Sequence, residues 1–128
     1  MRFLLDTQLL LWIAGHPERL PGEVRIELSD AANRFAFSAA SLWEISIKAA
    51  LGRDDFQVNS RELRREFLEN GYVELSITGK HAVSIDSLPP IHKDPFDRIL
   101  ITQAIAEDMI LLTADAQLAR YPGPVRKV

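Results

Sequence analysis

Four acidic residues each lie where an apolar, strand-like run gives way to the start of a helix. They are Asp6, Glu44, Asp97 and Asp115. The carboxyl ends of parallel strands share one edge of a sheet, so these side chains are expected to meet there. Four carboxylates repel one another unless a cation joins them, and oxygen ligands favour a hard divalent cation. A divalent metal beside water indicates phosphodiester chemistry.

The same acids also fit a simpler role in capping helices. The possible assignments are Asp6 as an N-cap, Ser41 and Glu44 as a capping box, Asp94 and Asp97 with Pro95 at one helix start, and Asp115 after a capping Thr113. Capping does not explain why Asp97 shares a helical face with Leu100 and Ile101, a face that should turn toward the sheet. A partly buried carboxylate needs a partner such as a cation. The positive end of a helix favours the ionised carboxylate that metal binding requires, so both roles are compatible.

The elements that must position these acids alternate along the chain. The predicted strands are residues 2–5, Arg34–Ser38, Tyr72–Ile77, Met109–Leu112 and Val125–Val128. The predicted helices are Thr7–Ala14, Pro21–Ala32, Ala39–Leu51, Ser60–Glu69 with Ser60 as N-cap, Thr78–Asp86, a helix from Asp94-Pro95 to about Asp108, and one or two turns within Ala114–Arg120. This alternation predicts an α/β fold with a mainly parallel sheet of about five strands and helices on both faces. At 128 residues, the whole chain is expected to form one domain.

Histidines and tryptophans give weaker indications. The turn residue His16 is expected to face solvent, and His81 is expected at the surface or half-buried. His92 lies two residues before Asp94, close enough to the acidic edge to contact a substrate phosphate. Trp12 and Trp43 fall on apolar helical faces, which favours a core or interface role over stacking on a base.

The first helix carries a continuous apolar run from Leu9 to Ile13. A helix that is apolar all round must be buried on all sides. Either it is the central helix on one face of the sheet, or part of its surface meets another chain.

Composition excludes several classes of protein. The chain has no Cys, so disulfides, thiolate metal sites and a Cys nucleophile are excluded. It has no GxxxxGK[ST] phosphate loop. No apolar run approaches the roughly 20 residues of a spanning helix, and an early acid argues against a signal peptide, so a cytoplasmic location without membrane association is expected. The net charge of −3 argues mildly against nucleic acid as a partner, although clustered catalytic acids would lower it.

Four blocks of residues resemble the PIN-domain ribonucleases, and most of all the VapC-type toxins of bacterial toxin–antitoxin pairs. The blocks are Leu4-Leu5-Asp6-Thr7, Ser38-Ala39-Ala40-Ser41-Leu42-Trp43-Glu44-Ile45, Asp94-Pro95-Phe96-Asp97-Arg98 and Leu112-Thr113-Ala114-Asp115. The resemblance implies a three-layer α/β/α fold, dependence on Mg²⁺ or Mn²⁺, and cleavage of single-stranded RNA. It also implies a homodimer and a cognate antitoxin whose tail covers the acidic groove.

The resemblance assigns the four family acids to Asp6, Glu44, Asp97 and Asp115, as catalytic residues and metal ligands. The predicted substrate contacts are Thr7, His92 and Arg98. Asp94 remains open, because a helix cap explains it fully.

Three alternatives differ in class. A receiver-like signalling domain expects paired acids after the first strand, where this chain has one. A phosphatase of the haloacid dehalogenase type expects Asp-x-Asp, where the chain has Asp6-Thr7-Gln8. A PIN-like fold that serves only as a binding module is disfavoured by the intact set of acids.

Overall fold

A five-stranded parallel sheet forms the centre of the computed structural model, which describes residues 1–91 and 93–128. The strands are β1 (Arg2–Leu5), β2 (Arg34–Ser38), β3 (Val73–Leu75), β4 (Ile110–Thr113) and β5 (Val125–Lys127). Their order across the sheet is β3-β2-β1-β4-β5, and each neighbouring pair is parallel. The predicted parallel sheet is confirmed, and the first strand of the chain lies at its centre.

Helices cover both faces of this sheet. They are α1 (Thr7–Gly15), α2 (Gly22–Ser29), α3 (Ala39–Ala50), α4 (Ser60–Glu69), α5 (Gly79–Val83) and α6 (Pro95–Ala106). Side chains alternate along β1, so Phe3 and Leu5 enter one core with α1, α2 and α4, whereas Leu4 enters the other with α6. The three-layer α/β/α arrangement is therefore confirmed. Within the described residues, no helix combines the length and the apolar character needed to cross a membrane.

The register of the strands brings distant residues to one edge. Leu5 of β1 pairs with Leu112 of β4, and Leu4 pairs with Ala36 of β2. The Asp6 amide, directly after β1, donates to the Leu112 carbonyl over 3.1 Å. Asp6 therefore lies beside Thr113, the last residue of β4, at the carboxyl edge of the sheet.

Two predicted helices were too long. The helix predicted over Pro21–Ala32 spans only Gly22–Ser29, because the Asp30 carboxylate accepts the Ala32 amide over 2.9 Å and turns the chain. The helix predicted over Thr78–Asp86 divides into α5 and a 3-10 turn, Ser84–Ser87.

Two further local predictions were wrong. Asn59, rather than Ser60, caps α4, because its side chain accepts the amides of Arg61 and Glu62. His81 is only 1% exposed. Its Nδ1 accepts the Thr78 amide over 3.0 Å, and its Nε2 lies 3.0 Å from a carboxylate oxygen of Glu107, so a buried polar network takes the place of solvent.

The apolar run of α1 is covered mainly by the chain itself. Leu9 and Leu10 are fully buried, and Leu11, Trp12 and Ile13 pack partly buried against the same core. The structure therefore favours the alternative in which α1 is the central helix of its sheet face. The predicted dimer needs a different surface.

Candidate metal centre

Asp6 is both a helix cap and part of the acidic edge. One carboxylate oxygen accepts the Leu9 amide over 2.8 Å, which caps α1. The other oxygen accepts the hydroxyl of Thr113 over 2.5 Å, within the range of a charge-assisted hydrogen bond. Two separate contacts therefore fix this buried carboxylate.

Glu44 lies inside α3 rather than at its start. Ser38 caps this helix by accepting the Ala40 amide over 3.0 Å, so the predicted capping box of Ser41 and Glu44 is wrong. The reason is that the helix begins directly after β2, a full turn before the position the motif required. Glu44 is nevertheless buried, and a role in capping cannot account for it.

The two oxygens of Glu44 have different surroundings. Oε2 lies 3.1 Å from the ammonium group of Lys48, one helical turn further along α3. Oε1 is buried, and among the described residues it has no hydrogen-bond partner. A buried carboxylate oxygen without a partner is costly, and a bound cation would satisfy it.

Asp94 and Asp97 lie together at the start of α6. Asp94 is the N-cap, accepting the Phe96 amide over 2.9 Å and the Asp97 amide over 3.4 Å, as the sequence predicted. Asp97 is partly buried on the first turn. Its position agrees with the prediction that its helical face turns inward.

Asp115 follows β4 in a turn. Its amide donates to the hydroxyl of Thr113 over 3.0 Å, and its carboxylate accepts the Gln117 amide over 2.8 Å. Thr113 therefore joins two of the predicted ligands, since the same hydroxyl donates to Asp6.

The pKa of Asp97 shows the effect of the neighbouring acids most clearly. Burial raises the pKa of Asp97 from 3.8 to about 7, and the negative charges of Asp94, Glu44, Asp6 and Asp115 add to that increase. The pKa of Asp97 therefore reports that all four predicted acids, with Asp94, lie in one electrostatic neighbourhood.

Asp6 is more deeply buried, yet its pKa rises less. Burial raises it from 3.8 to about 6, while hydrogen bonds from Thr113 and the Leu9 amide oppose that rise and the charge of Asp115 adds to it. Those donors stabilise the ionised form of Asp6, which is the form that a metal ligand requires.

The carboxylate oxygens of these residues are suitable ligands for a divalent cation, but they are not arranged around a common point. Within residues 1–91 and 93–128, no three acidic or histidine side chains are arranged as a complete metal site. Asp6 is held by Thr113, and Glu44 is held by Lys48. The clustered carboxylates and the unpartnered Oε1 of Glu44 are what a cation would satisfy, and Lys48 meets the other oxygen of Glu44.

The predicted substrate contacts have different surroundings. The Thr7 hydroxyl donates to Ser41 over 2.9 Å in a buried contact next to Asp6. The Arg98 guanidinium donates to the carbonyls of Pro89 and Ile85 in the preceding loop. His92 lies outside the described residues.

Sequence reasoning missed two residues of this neighbourhood. Lys48 was detectable, because its position four residues after Glu44 is the spacing of a helical ion pair. Thr113 was considered only as a cap, since its contact with Asp6 depends on the pairing of β1 with β4.

Replacing Thr113 with Val should weaken Mn²⁺ binding by about tenfold or more, because partners that orient metal ligands typically contribute this much. The substitution removes the donor to Asp6 and preserves the shape of the side chain. Calorimetric titration measures the affinity. Thr102→Val is the matched control, since the Thr102 hydroxyl is buried and donates within α6 to the Ile99 carbonyl. Equal losses in both variants would show that Thr113 has no special role.

The sequence matches the family model of the PIN domain over residues 3–124. The chain belongs to the PIN-domain family. This membership confirms the family resemblance of the sequence and disfavours the receiver and phosphatase alternatives. No curated protein matches this PIN domain.

Solved structures share the fold of this PIN domain. A chain of VapBC2 from Rickettsia felis, bound to a promoter DNA fragment, superposes with a TM-score of 0.74 at 19% identity, covering 99% of this chain and 98% of that chain. DNA-bound VapBC from Salmonella typhimurium gives a TM-score of 0.65 at 16% identity, with 99% and 98% covered. A toxin–antitoxin complex from Klebsiella pneumoniae gives 0.63 at 18% identity, with 98% of each chain covered. At these identities the likeness establishes the fold.

Proposed function

We propose that this PIN domain is a divalent-metal-dependent endoribonuclease that cleaves single-stranded RNA. The observation that carries the proposal is the gathering of Asp6, Glu44, Asp97 and Asp115 in one neighbourhood, where burial raises the pKa of Asp97 to about 7 and the charges of the other three acids, with Asp94, add to that rise. Such a cluster is unfavourable in the absence of a cation. The pattern is typical of sites that use Mg²⁺ or Mn²⁺ in phosphodiester hydrolysis.

When bound, a divalent metal supplies Lewis-acid chemistry, lowering the pKa of water and offsetting charge on the phosphate. Asp6 and Asp97 are the best candidates for direct ligands, because both are buried at least in part and both meet the charge of other acids. Glu44 would ligate the metal or orient the attacking water, and Asp115 would ligate directly or through water. The Thr113 hydroxyl donates a hydrogen bond to the carboxylate of Asp6 and so fixes its orientation.

Lys48 contributes a positive group to the site in addition to the metal. In the present arrangement its ammonium group neutralises Glu44. Its side chain is about half exposed, so it can turn toward solvent when a metal binds. Once released it would lie beside the carboxylates, where an RNA phosphate could bind it.

Replacing Glu44 with Gln tests the proposed function. Gln preserves the shape of the side chain but removes the charge, so we expect RNA cleavage with Mn²⁺ to fall by about a hundredfold or more. Cleavage of a labelled single-stranded RNA measures the loss, and EDTA should stop the wild-type reaction. The circular dichroism spectrum should remain unchanged.

Glu23→Gln is the matched control, because Glu23 is an exposed acid in the first turn of α2. It should cleave RNA at the wild-type rate. If the wild type binds RNA and Mn²⁺ without cleaving, the alternative of an inert binding module is favoured. A fully active Glu44→Gln variant would remove Glu44 from the site.

We further propose that the nuclease is the toxin of a toxin–antitoxin pair and acts in the cytoplasm. Its fold is shared with chains of VapBC and toxin–antitoxin complexes. A groove of about 690 Å³ between α1, α3 and α4 is lined by Trp12, Lys48, Phe56 and Leu63, among others. It opens beside Lys48, which contacts Glu44. An antitoxin segment lying there, and extending toward Trp43, could place a basic side chain against the carboxylates.

A homodimer is also expected, on a surface other than α1. Ile47 near the end of α3 and Leu51 just after it are exposed one turn apart, on the stripe that continues from Trp43. Light scattering on the isolated chain should give twice the monomer mass of 14.4 kDa. A monomer mass at micromolar concentration would refute the dimer.

A further inference from the structure

Two aromatic rings lie next to the proposed metal ligands in the chain. Trp43 precedes Glu44 on α3, and Phe96 precedes Asp97 on the first turn of α6. Their ring centroids are 5.2 Å apart, and their planes meet at 79°, in an edge-to-face contact. The pair therefore bridges the two helices that carry half of the acidic cluster.

Trp43 is 61% exposed, so the core role that its apolar helical face suggested is wrong, whereas the interface role stays a prediction. An edge-to-face contact occupies at most one face of each ring. Most of the indole therefore stays open to solvent, although it is the largest apolar group on α3. Phe96 supports it from the side and restricts its motion.

We propose that Trp43, held by Phe96, is a stacking subsite for one nucleobase of the single-stranded RNA substrate. The inference rests on the proposed ribonuclease function and specifies how its substrate is bound. Bases of a single strand are unpaired and accessible, and aromatic side chains bind them through their faces without requiring a particular sequence.

Continuity with the acidic cluster favours a base as the occupant. The contact between Trp43 and Phe96 joins the two helices that hold Glu44 and Asp97, so the exposed indole is within one nucleotide step of a phosphate that reaches those acids. Lys48, one helical turn from Glu44, offers a cation to the backbone of the same strand.

The affinity for RNA is measured with the Glu44→Gln protein and Mn²⁺, so that binding is observed without cleavage. Trp43→Leu keeps an apolar side chain but removes the ring, whereas Trp43→Phe keeps a ring. We expect Trp43→Leu to weaken binding by about tenfold and Trp43→Phe by about twofold or less. In the cleaving protein, Trp43→Leu should raise KM with little change in kcat.

A second measurement identifies the base. Single abasic positions are placed in turn along the RNA, and one position should lose as much affinity as Trp43→Leu. In the Trp43→Leu protein that same position should lose nothing more, because both changes remove one contact. In a Trp12→Phe protein, which leaves Trp43 as the sole tryptophan, RNA should quench the fluorescence.

Ile47→Ala distinguishes the rival occupant, a second protein chain. Ile47 is exposed one turn after Trp43 on the same stripe. Stacking predicts that Ile47→Ala binds RNA as the parent does. If Trp43→Leu and Trp43→Phe bind RNA with equal affinity, the subsite is refuted. It is also refuted if both Trp43→Leu and Ile47→Ala change the molecular mass in solution without changing the affinity for RNA. Wild-type protein that binds RNA through Trp43 without cleaving it would refute the nuclease and leave the subsite standing.

Discussion

Asn in place of Asp97 is expected to reduce RNA cleavage by about a thousandfold or more, the scale of losing one charged metal ligand. Burial and the negative charges of four other acids disfavour the ionised form of Asp97. A cation is therefore expected to stabilise the charge of Asp97 more than that of the other acids. The substitution keeps the side chain's size and its place on the first turn of α6. Mn²⁺ binding, measured by calorimetry, should weaken with it.

The same variant should be more stable than the wild type when metal is absent. Burial and neighbouring charges raise the pKa of Asp97, so the ionised form is unfavourable in the folded state and a neutral Asn relieves that cost. We expect the melting temperature in EDTA at pH 8 to rise by a few degrees. Asp86→Asn, at an exposed acid in the 3-10 turn after α5, is the control and should change neither property. A destabilised Asp97→Asn protein would contradict this account.

Metal-free protein should become less stable between pH 5 and pH 8. The folded-state pKa values of Asp6 and Asp97 are raised from 3.8 to about 6 and about 7, so the folded state holds protons that the unfolded state has already released. Stability therefore falls as pH rises from about 4 to about 7 and is level above that. For the buried Asp6 alone, the total cost is on the order of 3 kcal/mol. Over the measured range the melting temperature should fall by roughly 5–10 °C.

Mn²⁺ should reverse this loss at pH 8 and have little effect at pH 5, where protons compete for the carboxylates. Thermal melting at both pH values, with Mn²⁺ or EDTA, measures the difference. Asp55 and the partly buried Glu74 have lowered pKa values beside Arg53 and Arg64, so they titrate at lower pH and do not alter this window. A double Asp6→Asn, Asp97→Asn variant should melt at nearly the same temperature at both pH values. An equal Mn²⁺ shift at pH 5 and pH 8 would contradict the prediction.

The sheet was predictable because its signals are local. The runs at Arg2–Leu5 and Arg34–Ser38 are short and mainly apolar, and both strands have their predicted bounds. Asp6 caps the helix that follows the first strand, and Ser38, the last residue of the second, caps the next helix. Gly52, predicted to follow the end of α3, has a φ of 69°, which few other residues adopt without strain. Where a side chain competed with the backbone, as Asp30 does after α2, the predicted helix was too long.

The placement of the acids near one another was predictable, but their contacts were not. The positions of Asp6 and Asp97 follow from where the adjacent strand or helix begins or ends. The bond between Thr113 and Asp6 depends on which strands are neighbours, and no local pattern contains that information. Likewise, α3 is apolar on more than one side, so its sequence alone could not decide that Trp43 faces solvent.

The central position of β1 determines when the acidic cluster can form during synthesis. Asp6 is made before its partner Thr113, which is 107 residues further along the chain. Contacts between such distant residues form slowly, because a long loop must close before they contribute. A nascent chain that has not yet released β4 from the ribosome lacks the neighbour of β1, the hydroxyl that holds Asp6, and Asp115. The carboxylates are thus brought together only after translation has passed the last of them.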